Sequence, residues 1–135
     1  HQDPQNEFWQ LIEAAQGSQE QFRGLMVGFT LDELRAYEEA FFSPALWTLE
    51  HYEKIDKIAI DLCAWGAEMR FFAISQGYDV YRAIYQEPEK LTNFNPNQDA
   101  SQVLYYVINE LIKEKMKAFA FDYQEPQNRF WQYIG

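Results

Sequence analysis

Residues 43–77 constrain the fold more than any other part of this chain. Ser43 followed by Pro44 is a typical helix start, and Gly77 is a typical helix end. We therefore predict a long central helix here, either continuous or broken near Gly66. The apolar positions that recur at the period of one helix face are Ile55, Ile58, Ala59, Leu62, Trp65, Met69, Phe72 and Ala73.

The rest of the chain reads as shorter helices separated by glycine, proline and capping residues. Two pairs of residues match a capping box, in which the side chain of each residue accepts a hydrogen bond from the backbone N–H of the other. The pairs are Thr30 with Glu33 and Asp99 with Gln102. No convincing alternation of apolar and polar residues predicts a sheet. With 47% hydrophobic residues the chain can bury a real core. We predict one compact all-α domain over residues 1–135, with about six to seven helices around the central one.

Two segments stand apart from this helical pattern. Residues 88–99 are rich in Asn, Pro and Asp and predict a loop, with Leu91 and Phe94 anchoring it and residues 92–98 exposed. Residues 126–135 follow a proline and form an aromatic C-terminal tail.

The net charge of −10 is concentrated in the first three quarters of the chain. Residues 1–99 hold 17 acidic and 7 basic side chains, and residues 100–135 hold 4 of each. Such a surface repels nucleic acid and anionic membranes and attracts basic proteins, although acidity for solubility alone is an open alternative. The candidate partner-binding residues lie on the third and central helices, which could merge their acidic faces if they pack side by side: Asp32, Glu33, Glu38, Glu39, Glu50, Glu53 and Asp56.

The motifs of common enzymes are missing from the sequence. We find no HExxH, P-loop, GxGxxG or GxSxG pattern, and predict no metal site, cofactor or catalytic residue. The single cysteine, Cys63, lies on the predicted apolar side and is expected to be a core thiol; with no partner for a disulfide, it favours a reducing, cytoplasmic location. No apolar run approaches the roughly 18 residues that cross a bilayer.

Arg70 is the most informative single residue of the central stretch. It lies between an apolar helix face and Gly77, so a half-buried guanidinium there needs an acidic or carbonyl partner. We expect Asp61, Glu68 or a tyrosine beside it. With His51, these residues form the candidate ligand-binding site, although a purely structural role is the simpler interpretation for both His51 and Arg70.

Four short motifs stand out along the chain: FWQLIE at 8–13, LW at 46–47, RFFAISQG at 70–77 and PEKL at 88–91. Over residues 7–91 they resemble a bacterial family of domains of unknown function, number 4240. The family also carries a Gly-Cys-Ser-Asp run before its arginine, where this chain has DLCAWG at 61–66. The resemblance implies a small, mainly helical bacterial protein and no particular activity.

Two hypotheses for function follow. The first is a non-catalytic protein-binding module for a basic protein; its most specific form is an immunity-type inhibitor of a basic bacterial toxin. The alternative is a small enzyme or ligand-binding protein with its site around Arg70.

Overall fold

The computed structural model describes residues 6–118, and every regular element in that range is helical. The predicted all-α single domain is confirmed; the predicted tail, 126–135, lies outside the described residues. The α-helices are α1 (Glu7–Ala15), α2 (Gln19–Met26), α3 (Leu31–Phe41), α4 (Leu49–Asp61), α5 (Gly66–Ser75), α6 (Tyr78–Gln86), α7 (Pro96–Asp99) and α8 (residues 105–118), and 3₁₀ turns cover Pro88–Asn93 and Ala100–Gln102.

The helix starts follow from side chains that can accept a backbone N–H. The predicted capping box at α3 is confirmed, because Thr30 Oγ1 accepts from Glu33 N–H at 3.1 Å while Glu33 Oε1 accepts from Thr30 N–H at 2.9 Å. The predicted box of Asp99 with Gln102 is wrong. The Asp99 carboxylate instead accepts from Asn95 N–H at 2.7 Å, closing the single turn of α7.

The central stretch is two helices, so the alternative of a break is correct and the continuous helix is wrong. α4 begins after Thr48, which caps it, and Ser43 does not start a helix. α4 ends at Asp61, and α5 begins at Gly66 and packs back against α4. α4 packs chiefly on α5 and the first 3₁₀ turn; α3 is not among its main neighbours.

The segment after α6 is ordered into short helical turns, so the predicted loop is wrong in its local structure. Pro88 and Pro96 each occupy the first turn of a helical segment, where their missing N–H costs nothing. The predicted anchors are confirmed: Leu91 and Phe94 are buried. Between 92 and 98, most other side chains are exposed as predicted.

One hydrophobic cluster joins these elements, with Tyr81 near its aromatic centre. The Tyr81 ring lies 5.1 Å from that of Trp9 and 5.0 Å from that of Trp47, between centroids. Its hydroxyl donates to the carbonyl of Leu46, and burial raises the pKa of Tyr81 far above the ordinary tyrosine value. This hydrogen bond ties α6 to the chain just before α4.

The predicted apolar face of the central stretch is only partly buried. Ile55, Ala59 and Met69 are buried, which confirms the face on α4 and on the middle of α5. Trp65 was expected among them but is 78% exposed. The reason is the break, since the helical period does not continue across the turn that joins α4 to α5.

A pair of isoleucines on α4 provides a test of this packing. Ile55 is fully buried and Ile60 is 75% exposed. Ile55→Ala should lower the free energy of unfolding by about 2–5 kcal/mol, because it removes buried apolar atoms and leaves a cavity. Ile60→Ala should change it by less than about 0.5 kcal/mol. Chemical denaturation measures both; equal losses would contradict the orientation of α4.

Candidate functional site

The turn between α4 and α5 has the hydrogen bonds of a Schellman motif. Ala64 N–H donates to the carbonyl of Ala59 at 2.9 Å, and Cys63 N–H to that of Ile60 at 3.2 Å. Cys63 occupies the left-handed position of this motif, with φ 54°, where glycine is the usual residue. The prediction of a core thiol is therefore wrong: this backbone conformation leaves Cys63 exposed.

Large apolar side chains are exposed on both sides of this turn. Ile60 is 75% and Trp65 is 78% exposed, and Asp61 and Cys63 between them are exposed too. We call these four residues the corner. Sequence reasoning missed Ile60 and Trp65 as surface residues. The signal for Trp65 was the possible break at Gly66, and the signal for Ile60 was its position on the charged face of α4, three residues after Lys57.

Arg70 of α5 contacts two side chains of α4 next to the corner. Its Nη1 lies 3.4 Å from Asp56 Oδ1 on α4, and its guanidinium carbon lies 4.3 Å from the centre of the Tyr52 ring. Its side chain is only 16% exposed. The expected tyrosine neighbour is confirmed, whereas the carboxylate that pairs with Arg70 comes from Asp56. Arg70 thus joins α5 to α4 by an ion pair with Asp56 and a cation–π contact with Tyr52.

Gly66 lets the Asp56 carboxylate lie against the start of α5. A Cβ atom added at Gly66 would stand 2.0 Å from Asp56 Oδ1. The backbone next to Trp65 is therefore in close contact with a carboxylate. An anion also suits the first turn of α5, whose N-cap residue, Trp65, provides no side-chain cap.

The other residues of the predicted ligand site form no ion pair or hydrogen bond with Arg70. Glu68 accepts a hydrogen bond from the Tyr106 hydroxyl of α8; burial and then this bond raise the pKa of Tyr106 to about 12. Asp61 is exposed at the end of α4. The structure thus engages Arg70, Glu68 and His51 in three separate sets of contacts.

His51 joins the start of α4 to the end of α6. Thr48 N–H donates to His51 Nδ1 at 3.2 Å, so Nδ1 is an acceptor, and Nε2 lies 2.7 Å from the carbonyl of Tyr85 and donates to it. Its ring also packs against that of Tyr85, with the centroids 4.1 Å apart and the ring planes tilted by 31°. This places His51 in a structural role, as the simpler interpretation held.

The predicted acidic residues fall into two groups rather than one. Glu50, Glu53 and Asp56 line a shallow depression on α4 together with Ile60 of the corner and two lysines. Of those lysines, Lys54 pairs with Glu50 at 3.1 Å. On α3, Asp32, Glu33 and Glu39 are exposed and Glu38 is half-buried, and Glu33 is engaged in the capping box.

Between residues 6 and 118, no group of three or more His, Cys, Asp or Glu side chains is arranged to hold a metal ion. In the same range, no helix combines the length and the apolar character that crossing a bilayer requires.

Comparison of the chain with protein-family models, with curated proteins and with solved structures finds no match. The resemblance to family 4240 therefore stays a prediction.

The capping role of His51 can be tested by two substitutions. His51→Ala should lower the free energy of unfolding by about 0.5–2 kcal/mol, because α4 loses the acceptor for Thr48 N–H. His51→Gln should retain most of the stability, since a glutamine amide has both an acceptor for Thr48 and a donor for Tyr85. Equal losses in thermal or chemical denaturation would show that neither hydrogen bond matters.

The left-handed residue of the turn gives a second test. Cys63→Gly should raise the free energy of unfolding by about 0.5–1 kcal/mol relative to Cys63→Ala, because glycine adopts a positive φ without a Cβ penalty. The alanine variant removes the thiol but keeps the penalty, so it is the matched control. A glycine variant no more stable than the alanine variant would contradict the Schellman geometry.

Proposed function

We propose that this protein is a non-catalytic protein-binding module that docks a basic protein on the corner and the neighbouring acidic residues of α4. The observation that carries the proposal is the exposure of Trp65. Trp9 and Trp47 are buried at 1% and 4% exposure, whereas Trp65 keeps 78% of its surface accessible, and Ile60 on the other side of the turn keeps 75%. Tryptophan is the residue most enriched in the energetic centres of protein interfaces.

The turn gives this apolar pair a fixed position. Ile60 lies on the last turn of α4, and Trp65 is the N-cap residue of α5. The Schellman hydrogen bonds and the Asp56–Arg70 pair hold both ends of the turn. The backbone on both sides of the turn is therefore ordered before a partner binds, and this part of the surface loses less conformational entropy on docking.

Charge favours a basic partner for this surface. Asp61 and Glu53 are exposed at and next to the corner. Glu50 and Asp56 lie on the same face of α4 but are paired with Lys54 and Arg70, and Lys57 lines the same depression, so the local preference for a cation depends on Asp61 and Glu53 together with the net charge of −10. Asp61 is also the last residue of α4, where the helix dipole disfavours an anion, so its presence there does not serve helix stability. An arginine of the partner could stack on Trp65 and pair with Asp61.

The most specific form of the proposal is an immunity-type inhibitor of a basic bacterial toxin, acting in the cytoplasm. Such an inhibitor needs rapid association, and a net charge of −10 on 135 residues gives a field that attracts a cationic protein. The acidic residues of α3 would contribute to this field at longer range rather than to the contact itself.

The alternative, a ligand site at Arg70, receives less support from the geometry. Its guanidinium already contacts Asp56 and Tyr52, and its side chain is 16% exposed. A ligand that used Arg70 would have to displace an internal partner.

Capture from a lysate of the native host at low salt, followed by kinetics with the purified partner, tests the proposal. Trp65→Ala should weaken binding by about 2 kcal/mol or more, roughly thirtyfold in Kd, mainly through faster dissociation. Glu50→Lys/Glu53→Lys should slow association by about tenfold or more at low salt, and less at high salt.

The matched control is Asp32→Lys/Glu39→Lys, which makes the same charge change with exposed acids of α3. It should slow association clearly less than the α4 variant. A partner that binds Trp65→Ala as tightly as the unmodified chain would refute docking at the corner. Equal effects of the two charge reversals would leave only a general electrostatic attraction.

A further inference from the structure

A second concave surface lies away from the corner, between α5, α6 and the first 3₁₀ turn. This cleft has a volume of about 450 Å³, within the range of sites that bind small molecules. Its floor is apolar and includes Phe72, Ile84, Leu91 and Phe94. No corner residue lines it.

The cleft is held open by residues that are themselves anchored in the core. Leu91 is 1% and Phe94 is 5% exposed, so the segment that forms one wall is pinned to the body. The ring of Phe72 meets that of Phe94 edge-to-face at 4.9 Å between centroids. A preformed apolar floor of this kind does not have to be ordered when a ligand binds.

Charged side chains surround the mouth of the cleft. Asp79, from the first turn of α6, and Asp99, from the end of α7, face it together with Lys90. One Asp99 carboxylate oxygen accepts from Asn95 N–H at 2.7 Å, which fixes the position of that group. Two carboxylates against one ammonium, within a chain of net charge −10, favour a cationic over an anionic ligand.

We propose that this cleft binds a small apolar amine. The apolar body of the ligand lies on Phe72, Leu91 and Phe94, and its ammonium group lies at the mouth near Asp79 and Asp99. This site is independent of the protein-binding surface at the corner, so either proposal can fail without the other.

Three probes with the same apolar body and different end groups test the site: 4-phenylbutylamine, 4-phenylbutanol and 4-phenylbutyrate. Each is titrated into the full chain at low salt while backbone amide shifts are followed by NMR. The amine should bind most tightly, roughly threefold better than the alcohol, as expected for a partly exposed charge pair, and the acid most weakly. The shifts should concentrate at Phe72, Ala83 and Phe94.

Two variants complete the test. Ala83→Phe places a ring in the cleft and should abolish the binding of all three probes. Asp79→Asn should remove most of the preference for the amine over the alcohol while leaving the binding of the alcohol unchanged; Asp61→Asn, an exposed aspartate at the corner, is the matched control and should change nothing. Absence of binding by all probes, or shifts located elsewhere, would overturn the site, and tighter binding of the acid would overturn the amine class.

Discussion

The fold depends on the reversal of the chain between α4 and α5. The two hydrogen bonds of the Schellman motif end α4, with Cys63 in the left-handed conformation. Gly66 has no side chain, so the Asp56 carboxylate can lie against the start of α5. Because α5 returns along α4, Arg70 reaches Asp56 and Tyr52, and Met69 enters the core. A continuous helix through this stretch would separate these contacts and leave no corner.

The same reversal explains why the surface there differs from the rest of the chain. The helical period of α4 ends at this turn, so residues after it are not held on the buried face that the period predicts. In the described residues, Ile60 and Trp65 remain exposed. Folding therefore does not gain the roughly 1.5–3 kcal/mol that burying a large apolar side chain is worth, and binding to a partner is one way to gain it.

Much of the helical architecture could be predicted from local signals. The capping box of Thr30 with Glu33 and the apolar spacing of Ile55 and Ala59 involve residues only three or four positions apart, so the sequence alone indicates them. The exposure of Trp65 could not be predicted in this way, because the helical period places it on the buried face and only the break changes that. The acidic partner of Arg70 could not be predicted from the sequence either, because Asp56 becomes its neighbour only after the chain reverses.

The most direct test of the central claim, an exposed tryptophan within a negative field, needs no partner. Fluorescence of the unmodified chain and of Trp65→Phe is compared during quenching by acrylamide, by caesium and by iodide, and the difference gives the behaviour of Trp65 alone. Each quenching constant is divided by that of the same quencher on free N-acetyltryptophanamide. The account predicts that Trp65 is quenched readily by acrylamide and, on this relative scale, more strongly by caesium than by iodide, because the nearby carboxylates attract cations. A Trp65 signal that resists acrylamide, or a relative constant for iodide above that for caesium, would contradict it.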